Sequence, residues 1–329
     1  MRILLTASGA QGSYELINNF HSYDWYVHGV DVNPRVIGRF IADKFTQVPP
    51  ANNPGYIKKL IEIVHTDGID VIYPQSDLDV LPLALNIDQF PCKVVLSSLD
   101  SLMIATNKAK VYDTLKDTGL LPEYAIANTP RSFHEGALKL GYGSGKSIVC
   151  RLPKSKGGRG MFLLSNHGND VINNRNPPPV YNLKDGLKYF SDSGEIYLMT
   201  EFVFGEEIDS MAICQDGEVY LTTHKTRLKT LSGTIAEGEM VDRPELDIKI
   251  QAILERIPLS YNISLQFKGG KLLEINPRSS TYVYAGEFSE PYMGLMLATG
   301  GMTYEDIFNY KPLIPYGRKF IRYMTQYFW

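Results

Sequence analysis

From Met1 to about Ala105, short apolar strands alternate with helical patterns, and that alternation admits few architectures. Strands are expected near residues 3–7, 26–31, 71–73 and 94–96, and helices near 13–20 and 56–65. The expected result is a parallel sheet wound with helices. Its first turn reads Ala7-Ser8-Gly9-Ala10-Gln11-Gly12, one glycine short of GxGxxG, and Asp31 ends the next strand near the distance of a ribose-binding acid. A dinucleotide site competes here with a tight turn capped by Ser13, and the missing first glycine favours the turn.

Near the other end of the chain stands Lys271-Leu272-Leu273-Glu274-Ile275-Asn276-Pro277-Arg278. With period two, Leu273 and Ile275 face one way while Glu274 and Asn276 face the other. Just upstream, the strand from Ser264 to Lys268 runs into Gly269-Gly270. A two-residue turn would set Gln266 opposite Leu273, whereas a three-residue loop closing Lys268 on Leu272 sets it opposite Glu274. We expect the longer loop. Gln266, Glu274 and Asn276 would then gather three hard oxygen donors, which suit magnesium, or manganese in its place, shared with nucleotide phosphates. A carboxylate and a triphosphate ~4 Å apart repel by several kcal/mol at an effective dielectric of about 20, so a dication between them is favoured. Arg278 is positioned to brace the same phosphates. An ordinary exposed hairpin is the competing interpretation.

The remaining motifs bear on that choice. A unit starting near Thr106-Asn107-Lys108 opens with an amphipathic helix through Val111 and Leu115 that ends at Gly119. The run from Gly141 to Ser147 lacks the first P-loop glycine, and its lysine precedes a strand rather than a helix, so we reject it. Lys154-Ser155-Lys156-Gly157-Gly158-Arg159-Gly160, between strands near 147–151 and 161–164, is a better phosphate loop, because glycines admit anionic oxygens close to backbone amides. The strand from Ile196 breaks at Gly205 between acids, the makings of a purine slot. His224 to Lys229 is either an anionic-substrate contact or a solvated strand edge, and residues 247–256 read as a helix.

Composition excludes other classes. The 329 residues are 44% hydrophobic and 21% charged, enough for two to three domains, and a net charge of −3 offers no global field for nucleic acid or acidic membrane. No run is long enough to span a bilayer, and three dispersed cysteines without CxxC fit a reducing cytoplasm. The six histidines include no HxxxH pair, and no Ser/His/Asp set is recognisable in sequence. The aromatic C-terminal tail is expected to pack or to form a dimer.

Glycine loop, purine slot and oxygen-rich hairpin occur in one order, and in this the chain resembles the ATP-grasp superfamily, in its carbamoyl-phosphate-synthase-like and biotin-carboxylase-like branch. Its sharpest carriers are Gly157-Gly158-Arg159-Gly160-Met161 and Glu274-Ile275-Asn276-Pro277-Arg278. The resemblance implies an α/β and α+β chain with a Rossmann-like domain over 1–105, then an ATP-grasp domain of two lobes, 106–195 and 196–329. It implies that Lys108 and Arg151 bind phosphate, that Lys156, Gly157, Gly158 and Gly160 form the lid, and that Glu201 and Val203 meet adenine. Ribose falls to Glu207, with Asp209 second, and magnesium to Gln266, Glu274 and Asn276. Arg278 and Lys108 are the expected catalytic groups. Arg151 replaces the commoner lysine, and Gln266 stands where many members carry an acid.

The implied activity is ADP-forming ligation: a small-molecule carboxylate attacks the γ-phosphate of ATP, and an amine or similar nucleophile displaces phosphate from the acyl phosphate. An NAD-dependent oxidoreductase using the first glycine turn, and an ATP-binding sensor without turnover, are the alternatives. A homodimer, with no nucleic-acid or membrane partner, is expected.

Overall fold

The computed structural model describes residues 1–154, 159–166, 178–231, 233–280, 282–322 and 326–328. Among these, the first sheet contains β1 (Arg2–Leu5), β2 (Tyr26–Asp31), β3 (Lys44–Gln47), β4 (Val71–Tyr73) and β5 (Lys93–Val94), in the order β3-β2-β1-β4-β5. Every pairing is parallel, as the alternation requires. Helices α1 (Ser13–His21), α2 (Gly38–Ile41), α3 (Gly55–Asp67), α4 (Asp77–Leu85) and α5 (Leu99–Ala105) cover it. The strand order reverses between β1 and β4, so the loops after these strands open onto one crevice.

Asn107 then caps α6 (Lys108–Thr114), accepting hydrogen bonds from the amides of Ala109 and Lys110. A second sheet follows, built from β6 (Tyr124–Ala127), β7 (Ile148–Arg151), β8 (Phe162–Leu164), β9 (Val180–Tyr181) and β10 (Tyr197–Glu201), in the order β6-β10-β7-β8-β9. Its covering helices are α7 (Pro130–Lys139) and α8 (Leu183–Ser193). β7 and β8 pair antiparallel on either side of the glycine loop. Of that loop, Lys156, Gly157 and Gly158 lie outside the described residues.

The third sheet holds β11 (Glu207–Gln215), β12 (Glu218–Thr226), β13 (Lys229–Leu231), β14 (Thr234–Val241), β15 (Tyr261–Lys268) and β16 (Lys271–Asn276), in the order β13-β14-β12-β11-β15-β16. Helix α9 (Pro244–Arg256) packs against it, and a small ribbon of β17 (Tyr284–Ala285) and β18 (Phe288–Ser289) leads to α10 (Glu290–Ala298) and α11 (Tyr304–Phe308). Near the C-terminus, β19 (Lys319–Ile321) adds to β14, while Ile321 and Phe328 are exposed, so of the tail's described residues only its start is tied to a sheet.

One buried apolar cluster runs from Leu4 and Ile72 in the first sheet through Val111 and Tyr112 to Ile250, Leu265, Leu272 and Ile275. The apolar side of the β15–β16 hairpin is thereby fixed to the same core as the first sheet. No described helix is long and apolar enough to cross a membrane.

Candidate active site

The hairpin turn has two residues, Gly269 and Gly270, with φ of 51° and 73°. These are the left-handed conformations of a type I′ turn, whose twist suits the flanking strands. Lys268 therefore closes on Lys271, which corrects the expected three-residue loop. The register then shifts at Leu273, a bulge, so Gln266 still falls opposite Glu274 and Ser264 opposite Asn276. The anticipated pairing is reached by absorbing one residue in the strand instead of in the loop. Gln266, Glu274 and Asn276 thus share one face while Leu265, Leu272 and Ile275 enter the core.

From α6 the ammonium of Lys108 comes within 3.3 Å of Glu274 Oε2. Arg151, at the end of β7, donates from Nη2 to the Tyr112 hydroxyl at 3.2 Å, and its Nε is buried with no partner among the described residues. Glu201 ends β10, and its carboxylate accepts the Glu123 amide at 3.0 Å. Val203 lies against the Gly269 turn, where an added Cβ would meet the Phe204 carbonyl at 2.2 Å and Val203 Cγ1 at 3.3 Å. Gly160 has φ of 68° and packs on Leu152.

Glu207 is held on the same face, ion-paired with Arg227, whose Nε lies 2.6 Å from Oε1, and accepting from the Gln266 amide. Asp209 lies opposite Gln266 in the neighbouring strand. Burial pushes its pKa up, against the pull of Lys225 and Arg227, and Oδ1 has no hydrogen-bond partner among the described residues.

The segment from His224 corrects one expectation and adds a feature that the sequence did not reveal. Lys225 is no solvated edge: it is fully buried with Glu290, 3.2 Å away, and Glu290 also accepts from Thr223 and from the Val283 amide at 2.6 Å. A Ser–His–Asp chain also exists, with Ser210 Oγ 2.8 Å from His224 Nδ1 and His224 Nε2 2.8 Å from Asp247 Oδ1. Its serine and histidine are 0% and 1% exposed, so the chain ties strands to α9 rather than meeting a substrate.

Arg278 reaches across to the start of α4, donating from Nε and Nη2 to the two oxygens of Asp77 at 2.5 and 3.1 Å. Sequence reasoning missed Asp77 as its partner, although acidic residues in the first turn of a helix are a recognisable signal. The glycine turn is engaged from within the chain as well. Asp31 accepts from the Gly9 and Asn33 amides at 2.9 Å each, and Tyr282 donates to the Gly12 carbonyl at 2.5 Å. Val36 crowds Gly9, at 2.3 Å from the position of an added Cβ.

Among the described residues no three His, Cys, Asp or Glu side chains cluster as metal ligands. The oxygen set Gln266, Glu274 and Asn276 contains one carboxylate and two amides on adjacent rungs. Its all-oxygen chemistry fits a magnesium ion that also takes phosphate oxygens, and it does not fit zinc.

A family model described as PylC-like, N-terminal domain, matches residues 3–96. No curated protein matches the sequence. Among solved structures, a carboxyaminoimidazole ribonucleotide synthase from Aspergillus clavatus complexed with ATP aligns over 93% of this chain and 79% of its own, at 14% identity and a TM-score of 0.69. N5-carboxyaminoimidazole synthetase from Staphylococcus aureus complexed with ADP aligns over 91% and 77%, at 13% identity and a TM-score of 0.68. The biotin carboxylase domain dimer of 2-oxoglutarate carboxylase from Hydrogenobacter thermophilus, in complex with MgADP, ADP and bicarbonate, aligns over 91% and 69%, at 13% identity and a TM-score of 0.66. At these identities the likeness is one of fold.

Proposed function

We propose that this chain, an ATP-grasp fold preceded by a Rossmann-like domain, is an ADP-forming ligase that activates a small-molecule carboxylate for attack by an amine or similar nucleophile. The observation that carries the proposal is the approach of Lys108 on α6 to Glu274 on the hairpin, at 3.3 Å. ATP, ADP, MgADP and bicarbonate in the structural neighbours support the same nucleotide and metal here. Domain boundaries near 105 and 195 belong to this proposal, as do a cytoplasmic location and a homodimer.

In the proposed reaction a carboxylate oxygen of the substrate attacks the γ-phosphorus of ATP, the bond to ADP breaks, and the amine then displaces phosphate from the acyl carbon. Lys108 and Arg151 bind phosphate oxygens, and the glycine loop with Lys156, Gly157, Gly158 and Gly160 excludes water from them. Glu201 and the backbone at Val203 receive the base. Glu207 receives ribose hydroxyls in competition with Arg227. Gln266, Glu274 and Asn276 would hold magnesium, which when bound supplies the charge that lets Glu274 and the phosphates coexist. Arg278, kept in place by Asp77, braces the transferred phosphoryl group.

The single carboxylate of the metal set favours one other reading, a nucleotide-binding sensor without turnover. A dinucleotide-dependent oxidoreductase is disfavoured because Asp31, Val36 and Tyr282 already engage the glycine turn. Titration calorimetry with MgATP and with NADH tests the proposal. Binding of MgATP alone is expected, and binding of NADH without MgATP would refute it.

A further inference from the structure

A bulge leaves backbone groups without partners in the ladder, and a buried carbonyl of that kind needs a donor from elsewhere. At Leu273 the donor is Tyr112, whose hydroxyl lies 3.2 Å from the Leu272 carbonyl and 3.4 Å from that of Leu273. The Leu272 amide is drawn outside the hairpin too, donating to Leu120 at 2.9 Å, and Lys271 Nζ donates to Gly119 at 2.8 Å. The chain preceding β6 therefore braces the bulged strand at several points.

The same hydroxyl accepts from Arg151 Nη2 at 3.2 Å. One oxygen thus joins the guanidinium on β7 to the backbone that sets Glu274 opposite Gln266. Without the bulge, the two-residue turn would pair Glu274 with Leu265 and swing it to the core face. One helical turn before Tyr112 stands Lys108, which approaches the Glu274 side chain itself. α6 meets the hairpin at two levels, at a side chain and at the bulge.

We propose that Tyr112 is a positioning residue: its hydroxyl fixes the hairpin register that presents Glu274 and holds Arg151 in phase with it. This rests on the nucleotide-binding function proposed above. Tyr112 is fully buried, with its ring edge-on to Tyr124 at 5.1 Å, and both features persist in phenylalanine. Only the three polar contacts are lost.

The test is calorimetric titration of wild type, Tyr112→Phe, Arg151→Met and the double variant with MgATP, and with ATP in EDTA. Tyr112→Phe is expected to weaken MgATP binding about tenfold and to shrink the gain in affinity that magnesium confers. In the Arg151→Met background the same change is expected to cost under about twofold, because one linkage is already broken. Wild-type affinity in Tyr112→Phe, an unaltered magnesium gain, or multiplicative losses would overturn the inference alone. Wild type that binds no MgATP would overturn the proposed function and this inference with it. If Tyr112→Phe does not fold, hydrogen exchange of residues 266–276 in Arg151→Met reads the coupling. Faster exchange is expected, and unchanged exchange overturns it.

Discussion

The ammonium of Lys108 and the carboxylate of Glu274 meet at 3.3 Å, joining the first turn of α6 to the last strand of the hairpin. Both are largely shielded from water, with 14% and 27% of their side chains exposed. If phosphates lie between them and the lid, each charge has a separate task, and removing either unbalances the other. Lys108→Met is expected to weaken MgATP binding by about 10- to 100-fold, through loss of a charge-assisted contact and exposure of the phosphates to Glu274. Titration calorimetry checks this, and unchanged affinity would remove Lys108 from the nucleotide site.

Lys225 and Glu290 form a second pair, both side chains fully buried. A buried charge deprived of its partner is costly, whereas an apolar pair of similar volume is often tolerated. Lys225→Met alone should therefore destabilise by about 3–5 kcal/mol, and Lys225→Met with Glu290→Leu should recover part of that loss. Urea denaturation of the three proteins measures it. Glu290 also serves Thr223 and the Val283 amide, so recovery is expected to be incomplete.

The hairpin turn separates two glycines that look alike in sequence. At Gly269 a Cβ would meet the Phe204 carbonyl at 2.2 Å, while at Gly270 the nearest atom is the flexible Lys249 Nζ at 3.0 Å. Gly269→Ala should cost about 2 kcal/mol or more and Gly270→Asn under about 1 kcal/mol. Comparable losses at both sites, by thermal or urea melts, would contradict the packing described.

Much of the architecture was legible because its signals are local. Period-two strands and glycine turns marked strands in each of the three sheets, though not β3, β6 or β14, and Asn107-Lys108 announced a helix. The relationships that build the site are long-range, and no local pattern records them. Tyr112 carries no motif in the sequence, and only the fold brings its hydroxyl to the Leu273 bulge. The bulge was hidden because a three-residue loop and a two-residue turn with one bulged residue predict the same pairing of Gln266 with Glu274. Ser210, His224 and Asp247 escaped notice for a similar reason: their chain crosses two strands and a helix. Asp77 gave a helix-start signal, but nothing in the sequence said that Arg278 would be its partner.

Acid sensitivity follows from the first sheet. Burial lowers the pKa of His28 from 6.5, although Asp67, 2.6 Å away, pulls it upward. Asp67 itself is raised by burial but lowered further by Lys44 and His28, for a net fall from 3.8. Below pH 6.5 the unfolded chain takes up a proton at position 28 that the folded chain resists, so stability declines as pH drops through that value. A second loss follows as pH falls below 3.8 and Asp67 is forced to protonate. Urea midpoints between pH 7.5 and 5.5 are expected to decline, and His28→Gln is expected to flatten the slope; an equal slope in the variant would refute the assignment.

The most direct test of the central claim is ADP formation from MgATP by wild type and by Glu274→Gln, in the presence of pooled small carboxylic acids, amino acids and amines. The account predicts ADP formation that requires both an acid and magnesium, and a fall of at least about 100-fold in Glu274→Gln while the fold is retained. Turnover of equal rate in the variant would contradict a phosphoryl-transfer site at this hairpin. Wild type that binds MgATP yet forms no ADP with any pool would contradict the ligase and leave the nucleotide sensor.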